Sequence, residues 1–162
     1  YLTRNLIGHF HYMLGVSEMQ RDWPAAAAEL HRAGEIAADN DVLFYNLGLV
    51  FRRSGLYAEA EQAFVRSHEI NPRHLASETR ARALDRIGEV RAERQRIEQV
   101  ERELQPELEG KRLRAGTSAY HSALADLLAA RGEPQAASGQ SLRAWALRSR
   151  EHVGEPQLDP SS

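Results

Sequence analysis

Apolar residues recur along most of this chain at intervals of three and four, the spacing that sets them on one face of a helix. The pattern is densest between positions 44 and 70. Phe44, Leu47 and Phe51 share a face with Gly48, and Tyr57, Ala60, Ala63, Phe64, Ser67 and Ile70 repeat the period in the next segment. Gly55 separates the two runs, where a helix C′ position favours a residue tolerant of positive φ. Asn71-Pro72 stops the second run, because proline cannot continue the hydrogen-bond ladder. Two helices of about 14 residues joined by so short a turn pack antiparallel. Gly48, without a Cβ, lets the second helix approach closely, at a helix-interior cost of about 0.5–1 kcal/mol relative to alanine.

One hairpin cannot bury both of its apolar faces, so the pattern should recur. A step back of about 34 residues takes Tyr57 to Trp23, Ala60 to Ala26, Phe64 to Leu30 and Ile70 to Ile36, while Leu14-Gly15 stands for Leu47-Gly48. Going forward, Gly88, Val90, Ile97 and Val100 stand for Gly55, Tyr57, Phe64 and Ser67, and Pro106 for Pro72. In that third unit Ala81, Arg82 and Asp85 replace the Leu-Gly and aromatic positions. A fourth unit is carried by Tyr120, Leu124, Leu127, Leu128, Ala137, Ala144 and Leu147, with the turn Arg131-Gly132-Glu133-Pro134 between its helices. The pattern predicts helices near 5–20, 24–37, 41–54, 57–70, 74–87, 89–104, 117–131 and 134–149. They would form one all-α domain over 1–150, in hairpins at 5–38, 41–72, 74–105 and 117–149. Gln105 to Gly116 reads as a linker or as an amphipathic start to the seventh helix. Gly154, Pro156, Pro160 and the terminal serines predict a disordered tail at 151–162.

The series Phe44-x2-Leu47-Gly48-x2-Phe51, Gly55, Tyr57, Ala60-x3-Phe64 and Pro72 resembles the tetratricopeptide repeat, whose pattern runs W-x2-L-G-x2-Y, A-x3-F, P. The resemblance implies a right-handed α-solenoid of about four antiparallel hairpins, with the first helix of each lining a concave groove. It places Val42, Tyr45, Leu49, Arg52 and Arg53 on that groove, with Asn46 beside them. Tyr12, Val16 and Met19 of the first hairpin, and Arg80, Ala83 and Arg86 of the third, take matching positions. The implied function is a protein-binding scaffold or adaptor that helps assemble a larger complex. Arginine offers a planar fork for carboxylates and tyrosine is enriched at interface hot spots, so the expected partner is a segment of acidic character. Two further readings are an accessory region of a larger enzyme and a scaffold that self-associates through its terminal hairpins, with Leu2, Leu6 and Trp145 either at such exposed ends or covering the solenoid's own termini. Some family members clamp the C-terminal carboxylate of chaperones with five lysine, asparagine and arginine side chains. Asn46 and Arg80 match two of those positions, but Tyr12, Val16 and Ala76 occupy the others and lack the required donors.

Composition narrows the partners. A net charge of −2 over 162 residues provides no basic stripe for nucleic acid. No run of about 20 apolar residues is present to span a bilayer, and no signal-peptide pattern opens the chain. The start at Tyr1 suggests processing or excision from a longer protein. With no cysteine there is no disulfide, thiolate metal site or cysteine nucleophile. Lys111 is the only lysine among many arginines and alanines, which points to a GC-rich bacterial genome and leaves cytoplasm and periplasm both open. His9 and His11 are two apart and point to different helix faces, and His31, His68, His74 and His121 lie in separate hairpins without zinc-helix spacing. No phosphate loop or nucleophile elbow occurs. The expectation is therefore a non-enzymatic domain without cofactor or metal. The arginine–glutamate alternation from Arg91 to Glu103 reads as a solvated helix face, and Val90, Ile97, Val100 and Leu104 make a seam too short for a coiled coil.

Overall fold

The structure, a computed structural model, describes residues 2–70 and 78–153, without the side chains of Leu2, Arg80 and residues 151–153. Among the described residues the chain forms seven helices and no strand: α1 (Leu2–Glu18), α2 (Trp23–Ile36), α3 (Asp41–Arg53), α4 (Tyr57–Glu69), α5 (Glu78–Gly110), α6 (Ser118–Ala130) and α7 (Pro134–Val153). The stop at Asn71-Pro72, Ala76, the Arg80 side chain and most of the 151–162 tail lie outside the described residues.

Local chemistry sets the helix ends. The Asp22 carboxylate accepts from the Ala25 N–H at 3.1 Å, the Asn40 side chain from Leu43 N–H at 3.1 Å, and the Thr117 hydroxyl from Tyr120 N–H at 3.2 Å. Each satisfies an orphan donor of a first turn, as N-caps do. Gly55 and Gly132 follow α3 and α6 with φ of 79° and 80°, the left-handed geometry that closes a helix C-terminus. The helices between these caps pair antiparallel as α1–α2, α3–α4 and α6–α7. Within α3–α4 the approach is close: a Cβ on Gly48 would lie 2.5 Å from a Phe64 ring carbon. Tyr57, Ala60, Ala63, Phe64, Ser67 and Ile70 are all buried, in agreement with the helical period read from the sequence. Ser67 is the buried polar residue of this face, and its hydroxyl donates to the Asp41 carbonyl at 2.7 Å.

Two apolar cores result, and α4 serves both. The first gathers Met19, Trp23, Ala26, Leu30, Leu43, Leu47, Val50 and Ala63 from α1 to α4 and their connections. The second gathers Tyr57, Ala60 and Phe64 of α4 with Ile87, Val90, Ile97, Leu104 and Leu108 of α5 and Leu124 and Leu128 of α6.

The third hairpin expected at 74–105 is not formed. In its place α5 runs unbroken for 33 residues, through Gly88, where the turn was expected, and through Pro106. Its inward positions explain this. Ala83, Ile87, Val90, Arg94, Ile97, Glu101, Leu104 and Leu108 follow one another in alternating steps of four and three, a heptad stripe, and the six apolar members are buried. A turn at Gly88 would throw the two halves of that stripe out of register. Gly88 is exposed with open space where a Cβ would stand, so it serves neither a turn nor a close approach. Pro106 lies on the exposed side between Leu104 and Leu108, where the carbonyl deprived of its donor can be hydrated. The seam that looked too short for a coiled coil is thus longer than expected and spent on the chain's own α4 and α6.

The last hairpin also departs from a simple stack. In a linear repeat array each unit touches only its neighbours, whereas α7 packs on α2 as well as α6. Leu142 joins the first core, and Trp145 and Ala146 pack against it. Trp145, expected either at an exposed end or covering the solenoid's own terminus, is half-buried there. The reach is made possible where Gly139 meets the Gly55 turn: a Cβ on Gly139 would collide with the Gly55 carbonyl, and one on Gly55 with the Gln135 carbonyl.

Candidate functional site

The inner face of α3, read from the sequence as the arginine-rich groove, is engaged by the chain itself. Tyr45 and Leu49 pack against the second core, with the Tyr45 ring 5.6 Å from that of Phe64. The Arg52 guanidinium donates from Nε to Glu93 at 3.1 and 3.2 Å, makes a further close pair with Glu93 through its second terminal nitrogen, and reaches Glu89 at 2.8 Å. Arg86 donates to the same Glu89 at 2.7 and 2.8 Å. Arg86 is held well above its ordinary pKa by its hydrogen bonds to Tyr45 and Glu89. Glu89 is held below the usual carboxylate range by Arg86 first and Arg52 second. Two arginines expected to meet an acidic partner therefore already face two glutamates of α5.

The remaining expected groove residues scatter. Tyr12 and Val16 are half-buried against the first core, and burial raises the Tyr12 pKa against the lowering pull of Arg53. Met19 is buried in that core at 5% exposure, so it offers nothing to a partner. Asn46 is half-buried, Ala83 is buried, and Val42 and Arg53 are exposed. The Arg80 side chain is outside the described residues.

An open concavity lies on the other side of α3. Between α2 and α4 runs an apolar slot of about 460 Å³. Trp23, Ala27, Leu30 and Gly34 form its α2 wall, Phe44, Leu47 and Phe51 its floor, and Ala63 part of its α4 wall. Its rim is charged but paired. His31 Nε2 lies 3.1 Å from Glu35, and Arg143 of α7 reaches Glu59 at 2.7 and 2.9 Å. Arg66 sits 5.8 Å over the Phe44 ring and donates to the Ala38 carbonyl at 3.0 Å. Apolar lining with a few fixed polar groups at the mouth is the usual make-up of a binding concavity, and the volume falls in the usual range of about 300–1,000 Å³.

Sequence reasoning assigned Phe44 and Phe51 to helix packing alone, and the structure leaves both only half-buried. The signal was present in α2: Ala27 and Gly34 set small side chains opposite those rings, so the facing surfaces do not fill the space between them.

His11 and His121 are each engaged by a side chain of the neighbouring helix. His11 Nδ1 lies 2.5 Å from Glu29, and His121 Nδ1 lies 2.6 Å from the Gln140 side-chain oxygen. Gln140 in turn donates to Glu101 at 3.2 Å, so a polar chain joins α6, α7 and α5 beside the second core. Burial raises the Glu101 carboxyl above its ordinary pKa, against the lowering effect of that hydrogen bond. Among the described residues no group of three His, Cys, Asp or Glu side chains is placed to hold a metal ion, and no helix is long and apolar enough to cross a membrane.

The helices and their neighbour packing define an all-α fold consistent with a helical repeat. No family model, curated protein or solved structure matches the chain.

Proposed function

We propose that this chain is a tetratricopeptide-type helical-repeat module that binds a segment of a partner protein, and that the slot between α2 and α4 is where the partner anchors. The carrying observation is the open apolar slot itself, floored by Phe44, Leu47 and Phe51. Its size and lining suit one or two bulky apolar side chains presented by a helix or an extended segment, and large apolar anchors dominate the energetics of such interfaces. The paired charges on the rim would orient the segment and contribute little affinity. An acidic segment on the inner face of α3 would instead have to displace Glu89 and Glu93 from Arg52, which disfavours that route. As a scaffold or adaptor the module would contribute recognition, with chemistry supplied elsewhere in the assembly.

Selection of a displayed random-peptide library against the wild-type chain and an Ala27→Phe variant tests the reading. The substitution fills the slot from its α2 wall. Peptides rich in aromatic or branched apolar anchors should bind the wild type and lose at least about tenfold in affinity on the variant, as removal of a well-packed anchor contact does. Selected peptides that bind both proteins equally would place the site elsewhere.

A further inference from the structure

Beside the slot, a second concavity of about 640 Å³ lies between α2 and α7. Pro24, Ala27, Ala28 and His31 form its α2 wall, and Ala146, Ser149 and Arg150 its α7 wall. Both sets follow the spacing of neighbours on a helix surface, so each wall is a single stripe of its helix. Small and apolar groups make up most of the lining, and its charge is confined to Arg150 and His31. Among the described residues no carboxylate lines it, in contrast to the slot, whose rim carries Glu35 and Glu59. His31 lies 3.1 Å from Glu35, so Arg150 is the main cation offered to an occupant.

We propose that this groove seats the chain's own segment 154–162, with Leu158 between α2 and α7 and the acidic residues of the segment toward Arg150. The segment lies outside the described residues, and its connection, length and pattern select it. Helix α7 ends at Val153, one turn beyond Arg150, and Gly154 follows, the residue type that lets a chain turn back past a helix end. The stretch from Val153 to Leu158 spans up to about 17 Å, whereas the way back along α7 from Val153 to Ala146 is only about 10 Å. Leu158 therefore reaches the full length of the groove. Pro156, Leu158 and Pro160 alternate with Glu155, Gln157 and Asp159, and in an extended chain alternate residues point to opposite sides. One side of the segment is apolar and the other acidic. The prolines fix φ in the extended range and so reduce the entropy lost on seating. Glu155 and Asp159 are the only charges of the segment, matching a groove that holds a cation and no carboxylate. The short tether supplies an effective concentration of roughly millimolar, so a contact too weak to hold a separate molecule is filled. Ala28 and Arg150 line the groove and not the slot, so the seat can be altered without touching the binding site proposed above.

Methyl NMR of the full chain reads the seat directly. Leu158 should show nuclear Overhauser contacts to the Ala28 and Ala146 methyl groups, undiminished on dilution. Ala28→Glu sets a carboxylate in the groove at an exposed helix position and should abolish the contacts to Ala146, with an unchanged helical circular dichroism spectrum. Arg150→Glu should weaken them at low salt, and adding Glu155→Arg and Asp159→Arg to that variant should restore them. A Leu158 without contacts to α2 or α7 overturns the inference. So do contacts that vanish on dilution or arise only between differently labelled molecules, which would give the groove to the segment of a second copy. Contacts unchanged in Arg150→Glu overturn the charge match that selects the occupant.

Discussion

Glu101 is a carboxylate half-buried on the inward stripe of α5, at a position where the heptad pattern asks for an apolar residue. Its partner there is the Gln140 amide, and burial holds its carboxyl above the ordinary range. The folded chain therefore binds this proton more tightly than the unfolded chain. Its contribution to stability is complete below the ordinary carboxylate pKa and is lost as pH rises through the raised folded value. Glu101→Gln keeps an oxygen acceptor and removes the charge. Its melting temperature should exceed that of the parent by a few degrees near neutral pH, and the two curves should converge in mild acid. Thermal melts across that range check it, and a variant equally destabilised at both ends would contradict it. Much of the packing was legible at this scale, because Gly48, Ala60, Phe64 and Ser67 obey steric and periodic constraints that lie within one hairpin. The partners of Arg52 and Arg86 were not. Which carboxylates face an arginine depends on how α5 lies over α3, and no local spacing encodes that.

Long helices are where the reading from sequence and the structure diverge. Gly88 and Pro106 look like punctuation because each, taken alone, disfavours a helix interior. Those costs are local, whereas the buried stripe of α5 is shared across the whole helix and acts against any break that would rotate its halves apart. The same contest explains why the third unit lacks the repeat signature: Arg82 and Asp85 take positions exposed on a continuous helix. Gly88→Ala discriminates the two views. In the continuous helix, with open space around the position, it should stabilise the protein by about 0.5–1 kcal/mol, measured by urea denaturation. In a hairpin turn requiring positive φ it would destabilise instead.

Taken whole, the molecule is tied by α4, which belongs to both cores, and by α7, which returns to α2. Those links favour a single cooperative unfolding transition over the stepwise fraying of a linear array. The seat of α7 is the meeting of Gly139 with the Gly55 turn, and Gly139→Ala should lower stability by about 1–3 kcal/mol through overpacking against backbone that cannot rotate aside. Loss of cooperativity between probes of the two cores, such as Trp23 and Tyr120 fluorescence, would accompany it if α7 unseats before the rest unfolds. The slot was hidden from sequence reasoning for a related reason: its walls come from α2 and α4, and its emptiness is a property of their spacing. That glycine contact also bears on how the chain can vary through descent. The charge pairs Arg52–Glu93 and Arg143–Glu59 can be rebuilt by exchanging both partners, so substitution at one leaves a route back. Gly55 and Gly139 have no such route, since nothing smaller than hydrogen can take either place, and a lineage that loses one glycine must find a new way to seat the final hairpin.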